Sequence, residues 1–246
     1  MFSGGLDSSA AALGLARQFR RVHLLTYRNG FGHFFTERSR DRAEAIRRAL
    51  ADDPEAGEIV HALMSTKEHF EDLLVKTAAA DFKEYRSGFI WCMGCKLAMH
   101  ARSAAYCLIH GIEKMTDGSN AGTDEMVEQS LISLSMVRAF YERFAIEFFT
   151  PVYEQTRDDS RRALEEHGVR TGVRVMDRHL GVQPTCIAGE LYYMPYLLFN
   201  KRVKHEDEVV ASFIAAKMPI AERVVRAELE KVGMDLDEVL AARRGA

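Results

Sequence analysis

Apolar and polar positions along the chain switch repeatedly between a helical and a strand-like period. Ser8 to Phe19 starts on Ser and carries Ala and Leu within it, which predicts a helix. Val22 to Tyr27 is a short β run. Thr36 to Leu50 places Ala43, Ile46 and Leu50 at helical spacing among Arg, Asp and Glu, and predicts a second helix. After Pro54 and Gly57, Ile59 to Met64 reads as a strand and Lys67 to Phe82 as a helix. Met99 to His110 is a long apolar helix ended by Gly111, and Glu113 to Thr116 is a strand before Asp117-Gly118. Asp124 to Phe144 reads as helix, Ile146 to Phe149 as a strand stopped by Pro151, and Ser160 to His167 as a helix closed by Gly168. Arg170 to Ala188 reads as loops over a site. Glu206 to Val232 is a helical tail with a break expected near Pro219.

This alternation predicts βαβ units and a mostly parallel sheet with helices on both faces. We divide the chain into a core over residues 1–205 and a C-terminal helical extension over 206–246. The 246 residues are enough for a substantial core, and 47% hydrophobic against 28% charged residues excludes a disordered or collagen-like chain. No apolar run approaches the roughly 20 residues of a membrane span, so no membrane partner is expected. Met1 to Ala10 lacks the pattern of a secretory signal, which points to the cytoplasm. With 33 Lys and Arg against 36 Asp and Glu, no chain-wide attraction to nucleic acid is expected. Four cysteines are too few for a secreted scaffold, so a close pair reads as metal, cluster or redox chemistry.

The most informative segment is Ser3-Gly4-Gly5-Leu6-Asp7-Ser8-Ser9. Two glycines let several backbone N–H groups turn toward one point, and the helix start behind them favours an anion. The Ser hydroxyls add donors. Asp7 can orient the loop or approach a metal held by phosphates. The chain has no G-x-x-x-x-G-K-[ST], so this is not a Walker loop.

The heptapeptide resembles the S-G-G-x-D-S signature of the PP-loop ATP pyrophosphatase superfamily, which includes NAD and GMP synthetases, asparagine synthetase, 7-cyano-7-deazaguanine synthase and the tRNA thiolation enzymes. The resemblance implies a doubly wound α/β fold of the adenine nucleotide α-hydrolase type. It also implies cleavage of ATP to AMP and pyrophosphate with Mg²⁺, adenylation of a substrate oxygen, and a loop that holds the departing pyrophosphate. In the family a full central strand precedes the loop, whereas here only Met1 and Phe2 precede Ser3. The expectation is that residues upstream of Met1 complete it.

Cys92-Met93-Gly94-Cys95 is the second signal, followed by Lys96, which can lower a thiolate pKa or meet a phosphate. Cys186 lies 91 residues after Cys95, and Cys107 reads as a core cysteine in an apolar helix. The residues alone leave open a cluster, persulfide chemistry, zinc with His100 or His179 as fourth ligand, or no shared role. A CxxC followed about ninety residues later by one cysteine resembles the iron–sulfur-dependent thiolation branch of the superfamily. That resemblance implies a [4Fe–4S] cluster on Cys92, Cys95 and Cys186 with one open iron.

Thr116-Asp117-Gly118-Ser119-Asn120 and Asp124 loosely resemble the second family motif, which implies Gly118, Asn120 and the acid Asp124 beside the nucleotide. An Asx turn with Asp124 as a helix cap is the plain alternative. Thr26, Tyr27 and Arg28 end a strand where the family contacts adenine through backbone. Arg38, Arg40, Arg42, Arg47 and Arg48 alternate with acids and read mostly as a solvated face, whereas Arg161, Arg162, Arg170, Arg174 and Arg178 are candidates for an anionic substrate. Tyr192, Tyr193 and Tyr196 to Phe199 read as core.

The expected activity is therefore an ATP-dependent sulfurtransferase that adenylates a substrate oxygen and replaces it with sulfur. Its sulfur donor is a protein or free sulfide. Its acceptor is a tRNA base by analogy, or a small molecule, and the enzyme could act as a homodimer. The alternative is an amidating or nitrile-forming ligase of the same superfamily with structural zinc.

Overall fold

The computed structural model describes residues 1–123, 126–171, 185–189, 191–193 and 205–245. The chain is mixed α/β, with small parallel sheets and a helical C-terminus. The elements run α1 (Leu6–Ala16), β1 (Arg21–Arg28), β2 (His33–Phe34), α2 (Arg38–Ala49), β3 (Glu58–Ser65), α3 (Lys67–Leu73), α4 (Ala78–Tyr85) and α5 (Phe89–Ile109). They continue with β4 (Lys114–Thr116), α6 (Leu131–Glu142), β5 (Glu147–Phe149), α7 (Arg157–Glu166), β6 (Thr185–Cys186), α8 (Asp207–Glu230) and α9 (Leu236–Arg244).

β1 and β3 pair in parallel from Arg21↔Glu58 to Arg28↔Ser65. β4 and β5 also pair in parallel, from Lys114↔Glu147 to Thr116↔Phe149. Met1 and Phe2 stand between these two pairs. The Phe2 N–H donates to the Leu25 carbonyl at 2.8 Å, the Thr26 hydroxyl donates to the Phe2 carbonyl at 2.6 Å, and the Met1 amino group donates to the Thr116 carbonyl. β2 and β6 form a separate antiparallel ribbon that pairs His33 with Cys186.

Two cores stabilise this arrangement. Phe2, Leu13, Leu24, Ile46, Ile59 and Leu164 bury α1, α2 and α7 against β1 and β3. A larger cluster joins α3, α5, α6 and α8 through Phe70, Met93, Leu97, Phe140, Phe213 and Leu229. Burying each such side chain contributes roughly 1.5–3 kcal/mol. α8 therefore packs into the same core as α5. It runs unbroken through Pro219, where the sequence predicted a break.

Three further expectations are corrected. The helix expected over Lys67 to Phe82 is two helices separated by a tight turn at Val75–Thr77. α5 begins ten residues earlier than predicted, so Cys92 and Cys95 stand on a helix. The helix expected from Asp124 starts at Leu131, behind the capping hydroxyl of Ser130. Among the described residues, no helix is long and apolar enough to cross a membrane.

Candidate functional site

The glycine-rich segment forms a turn into α1. Gly4 has φ +77°, a conformation that a residue with a Cβ adopts only with strain. Gly5 caps α1 and, as a glycine, offers no side-chain hydrogen bond to the first-turn N–H groups. The Ser3 hydroxyl accepts from the Gly5 N–H at 3.2 Å and lies 3.0 Å from the Ser8 hydroxyl. Ser8 also donates to the Gly5 carbonyl, and Ser9 is buried with an unpartnered hydroxyl. Asp7 turns toward α7, where Arg157 Nη1 reaches its Oδ2 at 3.4 Å. Its Oδ1 is buried with no hydrogen-bond partner. Burial raises the Asp7 carboxyl above its usual value, and the Arg157 charge opposes the rise.

The turn after β4 sits on this loop. A Cβ at Gly118 would lie 2.7 Å from both the backbone nitrogen and the Cα of Ser8, so only glycine permits the approach. Asp117 is buried and accepts from the Ser119 N–H at 3.1 Å and from Lys96 Nζ at 2.7 Å. Burial alone would raise the Asp117 carboxyl, but the Lys96 charge outweighs it and holds it well below the carboxylate range. Asn120 is a clamp within the protein: its amide donates to the Val152 and Gln155 carbonyls at 3.1 and 2.8 Å. Asp124 lies outside the described residues.

The three thiols converge from two elements. α5 carries Cys92 and Cys95, and the β2–β6 ribbon brings Cys186 over them. A Cβ at Gly189 would stand 3.8 Å from Cys186 Sγ and 4.0 Å from Cys92 Sγ, so both sulfurs flank one point. Cys95 Sγ accepts from Asn29 Nδ2 at 3.1 Å and lies 3.7 Å from His33 Nε2. Burial pushes the Cys95 thiol up to about 12, against the pull of the Asn29 hydrogen bond. Burial also raises the Cys92 thiol well above its ordinary value, with the charges of Glu128, Cys186 and Cys95 adding to the rise. Without a cation the Cys92 and Cys95 sulfurs are therefore protonated, and a bound metal is what would deprotonate them. Among the described residues, no three His, Cys, Asp or Glu side chains close around a single-ion position. What fits a metal centre is the convergence of three thiols, Cys95 buried and Cys92 and Cys186 half-buried, and the donor aimed at Cys95. Cys107 stands apart in the core, with its Sγ 4.0 Å from Met115 Sδ.

Other candidates are placed elsewhere. Tyr27 is buried, and its hydroxyl bonds Ser103 on α5. Arg28 pairs with Glu37. His100 is held by the Tyr141 hydroxyl at 3.1 Å. Arg161 donates to Thr171. Arg174, Arg178, His179 and residues 196–199 lie outside the described residues. Sequence reasoning missed four neighbours of the site. Asn29 and His33 touch Cys95, and Glu128 bears electrostatically on Cys92. Arg42, read with its neighbours as part of a solvated face, donates to the Gly4 carbonyl at 3.3 Å. Only Asn29-Gly30, a turn dipeptide directly after a strand, carried a local signal.

No protein-family model and no curated protein sequence matches this chain.

Proposed function

We propose that this chain is a PP-loop ATP pyrophosphatase that transfers sulfur to a carbonyl-type carbon, using an iron–sulfur centre on Cys92, Cys95 and Cys186. One observation carries the reading. Phosphate loop and thiols are joined by an unbroken series of contacts: Ser8 against Gly118, Asp117 paired with Lys96, and Lys96 adjacent to Cys95. Sulfur must reach the carbon whose oxygen has just been adenylated, so both chemistries need one neighbourhood. The order β3, β1, Met1–Phe2, β4, β5 also supports a doubly wound sheet, in which ligands bind beyond the strand ends where the order reverses.

The roles follow from the groups present. The N–H groups at Gly4 and Leu6 and the hydroxyls of Ser3, Ser8 and Ser9 hold the phosphates. Asp7, braced by Arg157, orients the loop and would offer a carboxylate oxygen to Mg²⁺. The substrate oxygen attacks the α-phosphorus, the α–β phosphoanhydride bond breaks, and pyrophosphate leaves. Sulfur then attacks the activated carbon, and AMP departs with the original oxygen. Bound to the three thiols, a [4Fe–4S] cluster would supply the position from which sulfur is delivered. By the resemblance the acceptor is a tRNA base.

The test is anaerobic purification with iron and sulfide analysis, coupled to AMP and pyrophosphate release and sulfur incorporation into tRNA. Cys92→Ala, Cys95→Ala and Cys186→Ala should each lose the iron and the sulfur transfer yet still bind ATP. Cys107→Ala should keep all three properties. Zinc in place of iron, with ammonia-dependent turnover, would favour the ligase alternative and overturn this reading.

A further inference from the structure

We propose that Arg157 is the cation that holds the departing pyrophosphate, donating N–H groups to its oxygens as the α–β phosphoanhydride bond breaks. This rests on the proposal that the glycine-rich loop binds ATP. Ser3 to Ser9 contains no Lys or Arg, and its one charged side chain, Asp7, is an acid. Backbone N–H groups and hydroxyls offer only partial charges. When the substrate oxygen attacks the α-phosphorus, the electron pair of the breaking bond passes to the bridging oxygen. That oxygen leaves in pyrophosphate with a negative charge it did not carry in ATP. A guanidinium is always charged and can give two parallel hydrogen bonds, so it matches such a product.

Arg42 and Arg157 both donate to the loop. Arg42 is taken up by backbone, at the Gly4 carbonyl at 3.3 Å and the Arg170 carbonyl at 2.5 Å. Arg157 makes a single hydrogen bond among the described residues, from Nη1 to Asp7 Oδ2 at 3.4 Å. Charge-assisted N–H···O bonds are ordinarily about 2.7–2.9 Å, so this pair is loose and the other guanidinium N–H groups are available. The Arg157 side chain is 30% exposed, which leaves it within reach of a ligand. Its backbone is fixed. Arg157 is the first residue of α7, behind a capping box in which the Thr156 hydroxyl accepts from the Asp159 N–H and the Asp159 carboxylate accepts from the Thr156 N–H. The Arg157–Asp7 contact therefore joins the first turns of α7 and α1. Each of those helix starts carries a partial positive charge, so a cation is placed where two helix dipoles disfavour it and favour an anion.

The experiment titrates the full chain with magnesium pyrophosphate and, separately, with AMP by calorimetry. Arg157→Ala should weaken pyrophosphate binding by about tenfold or more and leave AMP binding unchanged. Its kcat for pyrophosphate release should fall by about 10²-fold, as removal of one donor to a developing anion does, and added guanidinium ion should restore part of the loss. Arg157→Lys, which keeps the charge without the fork, should fall between the two. Undiminished pyrophosphate binding by Arg157→Ala, or equal weakening of pyrophosphate and AMP, would overturn the inference and leave the loop standing as an ATP site. Native protein that binds neither ATP nor pyrophosphate would overturn both. In the native chain, pyrophosphate but not AMP should shield Arg157 from an arginine-selective dicarbonyl reagent, read by peptide mapping. Labelling of Arg157 that pyrophosphate does not change would overturn the inference even if the variants fail to fold.

Discussion

Lys96 Nζ meets Asp117 Oδ2 at 2.7 Å, and this one ion pair couples the thiol-bearing helix to the turn that rests on the glycine-rich loop. Asp117 is almost completely buried, and its other oxygen holds the Ser119 N–H. Removing the cation leaves a buried carboxylate without its partner. Lys96→Met should therefore destabilise the protein by about 3 kcal/mol, as breaking a buried pair from one side does. Adding Asp117→Asn should recover much of the loss, because no charge is then stranded. Urea denaturation of the two single variants and the double variant measures the coupling.

Gly118→Ala is expected to separate binding from folding. Its new Cβ would fall 2.7 Å from the Ser8 backbone, so the glycine-rich loop must shift. Overpacking of this kind costs about 1–3 kcal/mol of stability. ATP affinity should fall by more than tenfold, because the loop must keep its shape to direct its N–H groups. Isothermal titration alongside a melting curve resolves the two effects.

Gly5→Val and Asp7→Ala should abolish ATP-dependent pyrophosphate release while the circular dichroism spectrum stays native. Undiminished release by both variants would remove the loop from the mechanism.

In metal-free protein, alkylation at pH 8 should spare Cys95 and Cys107. Burial pushes both thiols up to about 12, and only the thiolate is nucleophilic. Their labelling should rise only as pH climbs toward that value. Metal loading should protect Cys95 further and leave Cys107 unchanged. Peptide mapping by mass spectrometry after timed iodoacetamide treatment distinguishes the two sites.

The acid limb of stability should depend on Glu228. It accepts from His69 Nε2 at 3.0 Å and pairs with Arg102 and Lys231, tying α8 to α3 and α5. Burial alone would raise its carboxyl, but hydrogen bonds from Lys231 and His69 and the Arg102 charge outweigh burial and hold it at about 2. A folded value below the ordinary 4.5 contributes stability that is fully present above pH 4.5. That contribution is lost as pH falls toward 2. Glu228→Gln should flatten the stability-versus-pH curve over this window, as followed by urea titrations at stepped pH.

Local patterns made much of this molecule legible. The alternating runs behind β1 and β3 and the Ala43, Ile46 and Leu50 stripe of α2 predicted elements that the fold retains within a few residues. The Ser3 to Ser9 segment predicted a turn into a helix, and that turn is present. What escaped prediction was decided by tertiary packing. Gly88 to Ala98 lacks a polar face because α3 and α8 cover α5, so its helical start was not visible. Pro219 stays inside α8 because the helix packs along α5 over its length. His33 had no motif at all: its nearest thiol partner, Cys95, is 62 residues away in sequence. The β2–β6 pairing sets Cys186 beside His33.

Gly189 gives the site a natural control point. Because it has no side chain, the space between Cys92 and Cys186 is left to the sulfurs, and an alanine there would make only ordinary contacts. Progressively larger residues at that position would act as a built-in stopper of adjustable size. Such a series would titrate sulfur chemistry down by steric occlusion while every residue that handles ATP keeps its native identity. One glycine thus offers a way to uncouple the two halves of the proposed reaction in the intact protein.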